Sequence, residues 1–161
     1  MARIAAILTL LWLSVAFYSA SAQDTKLSTS NKKAIKLYQD AGRSFILGET
    51  DKTKKLLLDA IKKDPEFAEA WVLLGDVNID LNRPDDAVAA YKKALQINPS
   101  EFYYANYLIG NLEFSRGNYK NALDYYKAFL KTGNLSDKEL QDTNSKIENT
   151  EIAMKIMGKP L

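Results

Sequence analysis

Few side chains in this sequence are able to do chemistry. The 161 residues include no Cys and no His, which removes thiolate nucleophiles, disulfides, most zinc sites and every His-based triad. Carboxylates, lysines, tyrosines and hydroxyls remain. Catalysis needs an acid, a base or a nucleophile converging on a pocket. Asp85-Asp86 and Glu66/Glu69 stand instead where first-turn helix charges stand, at the positive end of a helix dipole. Lys32-Lys33, Lys54-Lys55, Lys62-Lys63 and Lys92-Lys93 are spaced pairs among acidic neighbours and read as solvated helix faces. No P-loop, Gly-rich dinucleotide turn or metal-ligand cluster occurs, so no cofactor and no metal is expected. Asn134-Leu135-Ser136 has the form of a glycosylation sequon, a triplet that is frequent by chance. With 22 basic and 20 acidic residues, the formal charge of +2 gives no case for nucleic acid. The expectation is a protein that is not an enzyme.

The elements that must position these residues are helices. Val72, Leu73, Gly75, Val77, Ile79 and Leu81 make a mostly apolar segment before Asn82-Arg83-Pro84-Asp85-Asp86. After it, Ala87, Val88, Ala90, Tyr91, Ala94, Leu95 and Ile97 recur at helical spacing. Pro84 suits the first turn of a new helix, because it has no N–H to lose there and its φ is already set. Asn98-Pro99 stops that helix. Gly75 and Ala87 are small where two antiparallel helices must approach, and they are expected to face each other. Trp71 and Tyr91 fill the remaining space. One such hairpin cannot bury its apolar faces alone, so stacked neighbours are required.

Trp71, Leu74, Gly75, Ala87, Tyr91 and Pro99 fall on the pattern W-x2-L-G-x2-Y…A-x3-F…P, with only Asn78 departing at the Tyr position. The stretch resembles the tetratricopeptide repeat (TPR) family. Asn31 to Pro65 reads as a degenerate first copy at an offset of 34, with Ala41 for Gly75, Leu37 for Trp71, Leu57 for Tyr91 and Thr53 for Ala87. Gly48 is the expected helix C-cap between its two helices. Glu101 to Asn134 is a third copy at an offset of 35, with Gly110, Ala122 and Tyr126 in place and Asn106 where Trp71 stands. Leu135 to Gly158 reads as one further helix, with a Ser136–Glu139 capping box, a Leu135–Leu140 staple and an apolar stripe of Leu140, Ile147 and Met154.

The expected fold is therefore all-α: a right-handed TPR superhelix of three helix–turn–helix repeats plus a C-terminal capping helix. The repeats are placed at 31–67, 68–102 and 103–134, and the capping helix and tail at 135–161. Residues 1–22 read as a signal peptide, with Arg3, the apolar run Ile4 to Tyr18, and Ala20-Ser21-Ala22 before Gln23. Residues 23–30 are expected to be a flexible leader.

In TPR proteins the first helix of each repeat lines the inner face of the superhelix. The resemblance puts Tyr38, Phe45, Val72, Asp76, Tyr104, Tyr107, Asn111 and Phe114 there, as a partner-binding groove for a protein or peptide. Tyr38, Tyr104, Tyr107 and Phe114 would be apolar anchors, with Asp76 and Asn111 as polar readers. Some TPR domains clamp a partner's C-terminal carboxylate with Lys, Asn and Arg, the Asn following the repeat's Gly. Asn111 fits that place and Asp76 does not, since it would repel a carboxylate.

The functional expectation is an exported TPR scaffold for protein–protein interaction in the bacterial cell envelope. It would lie in the periplasm or at the outer membrane, with secretion as second choice, and would meet a membrane only through the signal peptide or an outer-membrane complex. The alternative is a structural or anchoring N-terminal module of a larger peptidoglycan-associated outer-membrane protein. The ending Lys159-Pro160-Leu161 suits that reading, as if cut from a longer chain. The whole is similar to the start of Gram-negative envelope proteins that continue into a β-propeller and a peptidoglycan-binding domain.

Overall fold

The computed structural model describes residues 27–133 and 135–158. The expected signal peptide, the first residues of the leader, Asn134 of the sequon and the last three residues lie outside them. Among the described residues seven α-helices follow in order: α1 (Lys32–Ile46), α2 (Thr50–Lys63), α3 (Ala68–Asp80), α4 (Pro84–Ile97), α5 (Tyr104–Ser115), α6 (Tyr119–Leu130) and α7 (Asp137–Ile156). They pack as hairpins α1–α2, α3–α4 and α5–α6, and each hairpin stacks on the next through α2–α3 and α4–α5. The last helix, α7, packs on α6.

Each hairpin turns in the same way. Gly48, at φ 72°, follows α1 and donates its N–H to the Phe45 carbonyl, while Glu49 N–H reaches Ser44. Asn82 and Arg83 repeat the pair of bonds onto Ile79 and Asn78, and Gly117 and Asn118 repeat it onto Phe114 and Glu113. These are Schellman closures, which satisfy the last helical carbonyls only if one residue takes a left-handed φ. The middle hairpin uses Asn82 at φ 55° for this, a residue whose short amide tolerates the region. Pro84 opens α4 at its first turn, ahead of Asp85 and Asp86.

Two core clusters follow one another along the stack. Leu57, Ala60, Phe67, Ala70, Leu74 and Val77 join the first two hairpins. Ala87, Val88, Tyr91, Ala105 and Ile109 join the second to the third. Thr53, where the other hairpins have Ala87 and Ala122, is fully buried, and its hydroxyl donates to the Glu49 carbonyl at 2.9 Å. A threonine can occupy an alanine's place when its own helix accepts the hydroxyl.

Several expectations need correction. The residue opposite Gly75 is Tyr91, because a Cβ built on Gly75 would lie 2.6 Å from Tyr91 Cδ1. Trp71 is only half-buried; its Nε1–H donates to the Pro65 carbonyl at 2.8 Å, and it borders a hollow shared with Glu66, Lys93, Gln96 and Ile97. The leader is not loose at residues 27–30. Leu27 packs on the first core cluster, Ser28 Oγ accepts from Ala68 N–H at the start of α3, and Thr29 donates to Asp64. Nothing in local sequence reports this, since Ser28 caps a helix forty residues away.

The register of α7 also differs. Its capping box is present, but Leu140 is exposed, and the buried line is Thr143, Thr150 and Met154 with Ile147 half-buried. A strict seven-residue stripe drifts by about 20° per heptad on a 3.6-residue helix. Thr143 and Thr150 come inside because their hydroxyls donate to the Glu139 and Lys146 carbonyls at 2.7 and 2.6 Å.

Candidate protein-binding groove

The face expected to be the inner one is carried by α1, α3 and α5, and one three-residue device sets the close approach within the second and third hairpins. In the second, the Tyr91 ring lies on Gly75 and its hydroxyl donates to Asp76 Oδ1 at 2.6 Å. In the third, the Tyr126 ring lies on Gly110 and its hydroxyl donates to Asn111 Oδ1 at 2.9 Å. The glycine supplies room for the ring, and the next residue, on the inner face, supplies the acceptor that a buried phenol needs. The first hairpin has Ala41, Gly42 and Leu57 at the same three places, so without a ring it needs neither the gap nor the acceptor. Asp76 and Asn111 are thus first of all partners of core tyrosines. The signal was present in sequence, as an Asp or Asn directly after the glycine with a Tyr fifteen residues later.

Around this frame the inner face forms two aromatic centres. At the first, Tyr38 is half-buried with its ring 4.9 Å from Phe67. Burial pushes its phenol pKa up, and the carboxylates of Glu69 and Asp76 add to the rise. Asp76 is itself pushed up, by burial foremost, against the Tyr91 bond that pulls it down and with Asp80 raising it further. Burial and then the Asp76 bond raise Tyr91 as well. Ile79, one turn on along α3, is 40 % exposed.

At the second centre, the Tyr107 ring lies 5.4 Å from both Tyr104 and Phe129, and 6.0 Å from Tyr126. Its hydroxyl donates to Asp142 of α7. Burial and that bond push its pKa up to about 12. Burial, with Tyr107 and Asp142 nearby, does the same for Tyr126. Tyr104 is 45 % exposed, with its ring edge-on to Phe129 at 5.7 Å.

The eight expected groove residues therefore separate. Tyr38, Asp76, Tyr104, Tyr107 and Asn111 line the two centres. Val72 is partly buried against the second core cluster and Phe45 against the first. Phe114 packs on Tyr119 at 5.5 Å, at the hairpin turn. Glu69, at an inner-face position of the second repeat, joins the first centre, whereas Asp142, Asp80 and Phe129 belong to the centres but were not among the expected groove residues; Asp142 arrives from the capping helix, which no repeat pattern could place. Among the described residues no group of acidic side chains could hold a metal ion, and no helix is long and apolar enough to cross a membrane.

Stacked antiparallel helix hairpins with small residues at the close approach and an aromatic inner face define an α-solenoid. Residues 47–102, spanning α2 to α4, match the tetratricopeptide repeat family model. The chain is 38 % identical over 64 residues to mouse tetratricopeptide repeat protein 21B, a match covering 40 % of this chain and 5 % of that relative's length. The Yersinia enterocolitica type III secretion chaperone SycD, solved with a peptide of the translocator YopD, superposes with a TM-score of 0.68 at 16 % identity. That match covers 76 % of this chain and 95 % of SycD. The first TPR domain of Spaghetti (RPAP3), bound to the HSP90 peptide SRMEEVD, superposes with a TM-score of 0.65 at 16 % identity, covering 76 % and 96 %. The described helices have the TPR fold.

Proposed function

We propose that this chain is a non-catalytic scaffold that binds a protein or peptide segment along the inner face of α1, α3 and α5. One observation carries the reading: Tyr104 and Ile79 stand exposed on the same face as the partly buried Tyr38 and Tyr107. Large apolar side chains left in water along one face of a solenoid mark recognition sites. Tyrosine is suited to the task, because it offers a broad face at the cost of freezing two χ angles. The peptides bound by the SycD and RPAP3 domains support the reading by analogy of fold.

We assign the scaffold to the bacterial cell envelope, reached by export, on the strength of Arg3, the Ile4–Tyr18 run and Ala20-Ser21-Ala22. The binding role is tested by comparing affinity with stability. Tyr104→Ala should weaken a captured partner by about 2 kcal/mol or more, as a central anchor does, with little change in melting temperature. Unchanged binding, or a melting temperature that falls in step with affinity, would assign Tyr104 to the core and remove the groove.

A further inference from the structure

The charge on the inner face restricts what can lie there. The charges that raise the phenols and Asp76 at the two centres are carboxylates or other tyrosines: Glu69, Asp76 and Asp80 at the first, Asp142 at the second. Ion pairs elsewhere in the described residues engage Asp40, Glu49, Asp85, Asp86, Glu113, Asp124 and Glu151. None engages these four. Glu69 accepts from the Ser28 N–H and hydroxyl, Asp76 from Tyr91 and Asp142 from Tyr107. Those donors are neutral, and among the described residues none of the four carboxylates forms an ion pair. The chain as a whole carries a formal +2, and the inner face runs against that sign.

We infer that the groove takes a cationic segment, a peptide with Lys or Arg side chains interleaved with apolar ones; the inference rests on the binding role given to this face above. The apolar residues would pack on Tyr104 and Ile79. An ammonium or guanidinium would find a carboxylate at each centre and a phenol face beside it, the arrangement that attracts cations both by charge and by the ring quadrupole. An acidic segment such as SRMEEVD would meet Asp76 and Asp80 without a compensating cation, at a cost in affinity.

The test uses two labelled, end-blocked peptides of equal length, one of Ala, Leu and Lys and one with Glu for every Lys, followed by fluorescence anisotropy at low and high salt. The Lys peptide should bind more tightly than the Glu peptide by tenfold or more and lose affinity with salt. Asp80→Asn should weaken it about twofold to fivefold, Asp59→Asn on the outer surface of α2 should leave it unchanged, and Tyr104→Ala should weaken it tenfold or more. If the Glu peptide binds as well as or better than the Lys peptide, and Tyr104→Ala still weakens it, the cationic reading is overturned and the groove stands. If Tyr104→Ala weakens neither peptide, or neither binds, both readings fall.

Discussion

Gly75→Ala tests the packing that shapes the groove. A methyl group at this position would come within 2.6 Å of Tyr91 Cδ1, with Cε1 nearer still. The ring cannot swing aside, because it is 2 % exposed and its hydroxyl is held at 2.6 Å by Asp76. Overpacking of this kind costs about 1–3 kcal/mol. Pulling the hydroxyl from a charged acceptor adds about 1.5–3 kcal/mol where the bond is lost. Replacing a helical glycine by alanine returns about 1 kcal/mol. With the bond lost, the net expectation is a loss of about 1.5–5 kcal/mol, read as a lower urea midpoint at unchanged slope. The first hairpin specifies the rescue. Adding Tyr91→Leu to Gly75→Ala reproduces Ala41 and Leu57, and the double variant should recover more than half the loss. Gly75→Ala with parental or greater stability would refute the reasoning, as would a double variant whose losses simply add.

Other outcomes follow from the same structure. Gly48→Ala forces a Cβ into φ 72° and should cost about 1–2 kcal/mol in thermal melts, whereas Asn82→Gly should be neutral or stabilising. Asp76 has its pKa raised by burial, so its folded form holds a proton better than the unfolded chain does. That contribution is present in full below the ordinary carboxylate pKa and is lost as pH rises through the folded value. Asp76→Asn should therefore gain on the parent towards neutral pH and lose that advantage near pH 3; a constant difference across the range would contradict the assignment. Mass spectrometry of the exported protein should find Gln23 at its N-terminus, and an intact Met1 on membrane-embedded material would overturn the export reading.

The hairpins were legible in sequence because their causes are local. Pro84, Pro99, Gly48 and the Gly75/Gly110 spacing each fix a backbone event within a few residues of themselves. The repeat alone put Tyr38, Tyr104 and Tyr107 at expected inner-face positions. What those residues touch could not be read from it. Asp142 reaches Tyr107 from a helix outside the repeats, Ser28 caps α3 from across the chain, and Thr143 and Thr150 are buried only because their hydroxyls find carbonyls one turn back. Trp71 looked central by its size and family position, but its indole N–H is held by the loop at Pro65, which leaves it half-buried at the outer edge.

The binding claim is tested most directly by photo-crosslinking in cells that make the partner. A photoreactive residue is placed singly at positions 79 and 104 on the inner face, and at 58 and 120 outside it. Crosslinks to one defined partner from 79 and 104 alone are the predicted result. Crosslinks from 58 or 120 with none from the inner positions would contradict it and move recognition to the convex surface.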